Sequence, residues 1–132
     1  MHLEALESRA LLSAAGHTVT VPLRSTASGN LPGNFVTGHS TQLGKFTAAF
    51  NEQGLVVFTA ANGDQLLAAP VLTPTSDPAV VHAEGNFVGG TGRFTGATGT
   101  FSLDLIFVND QGDFVYQHTD SIVLQRPWNG HA

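Results

Sequence analysis

From residue 17 onward, β-prone runs alternate with short clusters of Gly, Pro, Asn and Asp, and no stretch keeps a helical spacing of apolar positions. The first run, HTVTVPLRS, sets Val19, Val21 and Leu23 on one face. Pro22 in its middle predicts an edge position, a bulge, or a strand paired on one side. ASGNLPGN then reads as a loop by composition. NFVTGHSTQ and GKFTAAFN follow, with a kink at Leu43 and Gly44, then a turn over residues 51–54 and the run LVVFTAA. Asn62 and Gly63 are the strongest hairpin signal, predicting a type I′ turn because both tolerate positive φ. DQLLAAPVLT runs into a PTSDP loop, and AVVHAEGNFVG ends at a Gly-rich corner. TGTFSLDLIFVN and DFVYQHTDSIVLQR close as a hairpin about Asp110, Gln111 and Gly112.

About eight strands joined mostly by short turns predict one all-β domain over residues 17–132. The expected architecture is an eight-stranded antiparallel up-and-down β-barrel, because closure removes exposed strand edges. A two-sheet sandwich fits the same count. Residues 1–16 stand apart as a short N-terminal segment, irregular or helical.

Composition sharpens this picture. Charged residues are 11% of the 132-residue chain, less than half the usual ~25%. The exterior must therefore lean on Thr, Ser, Asn and Gln, which suit exposed strand faces better than helices. The net charge is −5 and the five fixed cations (Arg9, Arg24, Lys45, Arg93 and Arg126) are scattered, so phosphate-driven nucleic-acid binding is not expected. Without cysteine there is no disulfide framework and no thiolate metal site. No apolar run approaches the ~20 residues of a membrane span.

The start of the chain lacks a basic region followed by an apolar core, so it is not an ordinary signal peptide. Leu3, Leu6, Ala10 and Leu11 are spaced for a short amphipathic helix. The stretch LEALESRALLSA also resembles the LEPR-type N-terminal segment of exported planctomycete proteins. That resemblance implies an exported, extracytoplasmic bacterial protein; a frayed terminal helix is the alternative.

The most distinctive segment is GGTGRFTGATG, residues 89–99. Its glycines allow sharp turns and close backbone approaches, and Phe94 is placed to tuck under the corner and plug one barrel end. A phosphate-loop reading fails, because the P-loop Lys-Ser/Thr and a following helix are both missing. With the upstream pieces HSTQLGKFT and FTAANGDQL, this corner resembles the allene oxide cyclase and dirigent superfamily of barrels, from about Gly33 to the C-terminus. The resemblance implies an eight-stranded barrel with a lumen, a structural corner of Gly89, Gly90, Gly92, Phe94, Gly96 and Gly99, and assembly as a dimer or trimer. It transfers no catalytic set: the first strand, TVTVPLRS, has no carboxylate to match the family's early-strand residues.

Two strands carry ionisable residues at a spacing of two, hence on one face. His82 and Glu84, continuing to Asn86, alternate with Val81, Ala83, Gly85 and Phe87, so the solvent face is the expected place for them. In the last strand Phe114, Tyr116, His118, Asp120, Ile122 and Leu124 share a face that is apolar at both ends and polar in the middle. That pattern suits a lumen wall, which makes Tyr116, His118 and Asp120 the candidate ligand-binding residues. A His beside a carboxylate could also act as a general base or supply two metal ligands, yet no complete metal site or cofactor site is indicated. His39 could point either way, and Trp128 is placed to seal a barrel end or an interface. The leading expectation is a binding or scaffold barrel for a small hydrophobic ligand. The alternative is a cofactor-free cyclase or isomerase acting on a small unsaturated or epoxide substrate.

Overall fold

In the computed structural model, described over residues 17–126, the chain is a closed antiparallel barrel in which each strand pairs with the next and the last returns to the first. The strands are β1 (His17–Asn30), β2 (Phe35–Ser40), β3 (Gly44–Phe50), β4 (Val56–Ala60), β5 (Gln65–Pro74), β6 (Val80–Gly90), β7 (Thr100–Phe107) and β8 (Asp113–Arg126). The N-terminal segment and Trp128 lie outside the described residues. No helix among the described residues is long and apolar enough to cross a membrane.

Closure settles barrel against sandwich, and the register follows from which side chains fit inside. Leu23, Phe46, Ala48, Leu66, Phe87, Ile122 and Leu124 alternate inward and form the main core, each hydrophobe buried at about 25 cal/mol per Å² of apolar surface. Pro22 is tolerated because it lies in the stretch of β1 that pairs with β8 alone, opposite Ser121. β2 joins β1 only from Ser25 onward.

Two local expectations change. Residues 27–30, which read as loop, continue β1: Ser28 pairs with both Thr37 and Val115. Gly29 is small because the interior is crowded, not because the chain turns there. A Cβ on Gly29 would strike the Phe35 carbonyl and the Phe114 ring. The turn at Asn62 and Gly63 exists but is not type I′, since Gly63 has φ +92° whereas Asn62 keeps a negative φ. Gly63 N donates to Ala60 O and Ala60 N to Asp64 O, the pattern of a three-residue loop with glycine in the left-handed position.

The barrel has one sealed end. There residues 91–99 fold across the opening, with a single 3₁₀ turn at Gly92–Phe94 that carries Phe94 into the core at 0% exposure. Neighbouring turns hold this cap. Asp64 Oδ2 accepts from Arg93 N at 3.2 Å, and Thr91 exchanges bonds with Gln65. The Arg93 guanidinium donates to the backbone and side-chain oxygens of Gln42 at 3.0 and 2.9 Å. Gly92, with φ +58°, admits the Asp64 carboxylate where any Cβ would sit. The plug expected of Phe94 is therefore in place, and the Gly-rich corner is its frame.

Candidate functional site

The opposite end stays open. The turns joining β1 to β2 and β3 to β4 leave a mouth into the lumen with Leu31, Phe35 and Leu72 at its rim, and Phe35 is 52% exposed. The rim's amide side chains are already committed to these turns. Asn30 binds Gly33 N and Asp113 Oδ1 at 2.6 and 2.8 Å, while Asn34 exchanges two bonds with the Phe50 backbone at 3.1 and 2.7 Å. What the mouth offers an incoming molecule is apolar surface.

Behind the mouth the lumen is narrow. Phe58, Phe87 and Phe101 stand in its wall and leave a cavity of about 100 Å³, below the ~300–1,000 Å³ of pockets for drug-sized ligands. A slender molecule fits this space better than a broad one. Beneath it, toward the sealed end, Ile122, Leu124 and Phe94 form a solid apolar plug.

Three polar side chains meet at the level where the plug begins. Tyr116 and His118 point inward from β8, 7% and 6% exposed, and Ser25 faces His118 directly across the β1–β8 ladder. Neither the Tyr116 hydroxyl nor the Ser25 hydroxyl has a hydrogen-bond partner among the described residues, and no buried polar atom is both sealed and unpartnered. Both residues line the lumen, and Ser25 and His118 also border a shallow exterior depression beside Arg24 and Thr119. Burial pushes the Tyr116 phenol upward, so it stays protonated. His118 is held below the usual histidine range by burial, with the Asp120 carboxylate opposing that shift, and at neutral pH the ring is uncharged. Its edge also rests against Phe101, with ring centres 6.5 Å apart.

Asp120 shares the β8 face of Tyr116 and His118 but does not line the cavity. Its carboxylate lies in the seam between β7 and β8, 33% exposed, and its Oδ2 meets His118 Nε2 at 3.2 Å and Ser102 N at 3.1 Å. The seam explains why. β7 and β8 pair at Ile106–Val115 and Phe107–Phe114, and the same register reappears only at the Thr98–Val123 bridge. Between these points Ser102 should exchange bonds with Thr119; its N–H goes to the Asp120 side chain instead. The result is an imidazole in the lumen oriented by a carboxylate that reaches solvent.

His82 and Glu84 lie on the exterior, the place expected for them. Nδ1 of His82 is 2.9 Å from Asp104, Nε2 is 2.9 Å from Glu84, and the Ser102 hydroxyl is 3.3 Å away. Hydrogen bonds to Asp104 and then Glu84 raise its pKa. His39 is exposed. No group of three His, Cys, Asp or Glu side chains among the described residues is placed to hold a metal ion.

Ser25 is the lumen residue that sequence reasoning passed over. Its signal was available in the inward alternation of Val21, Leu23 and Ser25 along β1. No protein-family model matches this chain, and no curated protein or solved structure is significantly similar to it.

Proposed function

We propose that this barrel binds a small, slender hydrophobic molecule in its lumen. The carrying observation is an apolar mouth leading to a dead-ended cavity whose floor holds the unpartnered hydroxyls of Ser25 and Tyr116. An apolar core with no task for polar groups would leave none there, because each unpaired polar atom costs about 1–3 kcal/mol when it is desolvated. The likeness of GGTGRFTGATG to the corner of allene oxide cyclase-like and dirigent-like barrels supports the same reading. Titrating isotope-labelled protein with octanol tests it. Shifts confined to inward positions such as Leu103, Leu105 and Tyr116 are expected, and shifts confined to exterior positions would refute it.

One observation favours a second reading, a cofactor-free cyclase or isomerase. Asp120 orients a neutral imidazole toward the lumen, the arrangement a general base needs. A dry, shaped cavity can supply the rest of an intramolecular ring closure. Conversion of an unsaturated or epoxide compound that is lost in His118→Phe would establish it. A bound compound recovered unchanged would leave the barrel a binder.

A further inference from the structure

The polar floor of the lumen also specifies what kind of head group it takes. Asp120 Oδ2 accepts from both Ser102 N and His118 Nε2. Because a carboxylate is acceptor-only, the proton of the neutral ring is fixed on Nε2. Nδ1 is then left as a lone pair, and no partner occupies it among the described residues. Ser25 and Tyr116 beside it can each donate or accept. The floor thus holds one obligate acceptor and two adaptable hydroxyls.

Charge narrows the class further. The lumen wall includes no Lys and no Arg. The charged group bonded directly to the floor is the Asp120 carboxylate, whose sign repels anions, while Arg24 borders Ser25 and His118 from the exterior side only. A carboxylate or phosphate at this depth would be buried without a counter-ion, a cost far above that of a neutral group. Nor does a donor-free head group suit the site, because an ether or ester would face the Nδ1 lone pair with one of its own.

From these constraints we infer that the lumen selects a neutral, slender aliphatic alcohol, bound with its hydroxyl at Ser25, Tyr116 and His118 and its chain toward the apolar mouth. The hydroxyl donates to His118 Nδ1 and accepts from Tyr116 or Ser25, so its one donor and one of its two lone pairs are used. Asp120 acts here as a positioning residue: it touches no ligand and sets the tautomer that does. Four residues of β8 separate Phe114 near the mouth from His118 at the floor. At ~3.4 Å per residue along a tilted strand this gives roughly 10 Å of depth, enough for a medium-length chain. The inference rests on the lumen-binding reading and adds the ligand's head-group class to it.

The test compares octanol, octanoate and methyl octyl ether on the purified protein at neutral pH, followed by amide and methyl chemical shifts. Octanol is expected to bind at least about tenfold more tightly than either of the others, since each of them leaves a buried polar group unpaired. His118→Phe is expected to abolish the preference for octanol while the ether still binds. Independently of any ligand, nitrogen-15 spectra of the His118 ring in the wild-type protein should show a protonated Nε2 and a bare Nδ1. Octanoate or ether binding as tightly as octanol would overturn the head-group assignment while leaving the lumen as a binding site. An Nδ1-protonated ring would also overturn the assignment. Failure of all three compounds to bind would overturn the lumen reading and this inference with it.

Discussion

The Asp120 carboxylate accepts the backbone N–H of Ser102 at 3.1 Å, so one side chain closes a barrel seam that the backbone ladder leaves open. The same oxygen holds His118 in the lumen. Asp120 thereby couples the integrity of the wall to the chemistry of the interior.

Removing that carboxylate should cost stability in proportion to what it satisfies. Asp120→Ala strands the Ser102 N–H and the His118 Nε2–H, and about 1–3 kcal/mol of destabilisation is expected. Chemical denaturation measures it. Asp120→Asn keeps an acceptor oxygen and should lose less, and amide exchange at Ser102 should quicken in the Ala variant more than in the Asn variant.

Phe94 should be the most sensitive position of the sealed end. It is fully buried among Leu43, Leu66, Leu124 and neighbouring core residues, and the corner that carries it is pinned by Asp64 and Gln42. Phe94→Ala is expected to cost about 3–5 kcal/mol through lost burial and the cavity left behind, read as a lowered Tm. Arg93→Ala removes exposed bonds to Gln42 and the guanidinium's contact over the Phe94 ring at 5.4 Å, and should cost less, about 1 kcal/mol.

The two histidines engaged with carboxylates should show opposite pH dependences. His82 has its pKa raised by Asp104 and Glu84. Its stabilising effect is therefore present below the unfolded value near 6.5 and is lost as pH rises through the higher folded value. His118 has its pKa lowered by burial. Its neutral form stabilises the fold above 6.5, and that effect is lost as pH falls from there through the folded value. Following both rings by NMR against pH should place His82 above the ordinary value and His118 below it. Asp104→Asn should bring His82 down and leave His118 where it was.

Much of this site was legible in the sequence because the β8 face is a period-two pattern, and that period does not depend on the partner strand. Phe114, Tyr116, His118, Ile122 and Leu124 do line the interior. Asp120 belongs to the same face, yet its carboxylate leaves the lumen because β7 and β8 separate beside it. That separation is a relation between two strands and has no signature in either alone. Residues 27–30 misled for a related reason: a glycine such as Gly29 signals a turn in an open chain but also marks crowding inside a barrel. At Asn62 and Gly63 the loop is three residues long with Gly63 alone at positive φ. Asp64 just beyond it reaches Gly92 and Arg93 to brace the cap, a contact between distant segments that the dipeptide does not signal.

A charge at the mouth should weaken entry without unfolding the barrel. Phe35 is exposed at the rim, so Phe35→Asp is expected to change stability by no more than about 0.5 kcal/mol. Octanol binding should nevertheless fall severalfold, because the apolar rim and the ligand chain lose contact. Matched denaturation and titration of the variant check both expectations.

The central claim is that the ligand lies inside the barrel, and intermolecular NOEs from bound octanol test it most directly. Inward and outward methyls alternate along the same strands, so the two placements give non-overlapping contacts. Occupation of the lumen should give NOEs to Leu72, Leu103 and Leu105, which line the cavity. NOEs only to the exposed methyls of Val71, Ile106 and Val115 on the exterior would contradict the account.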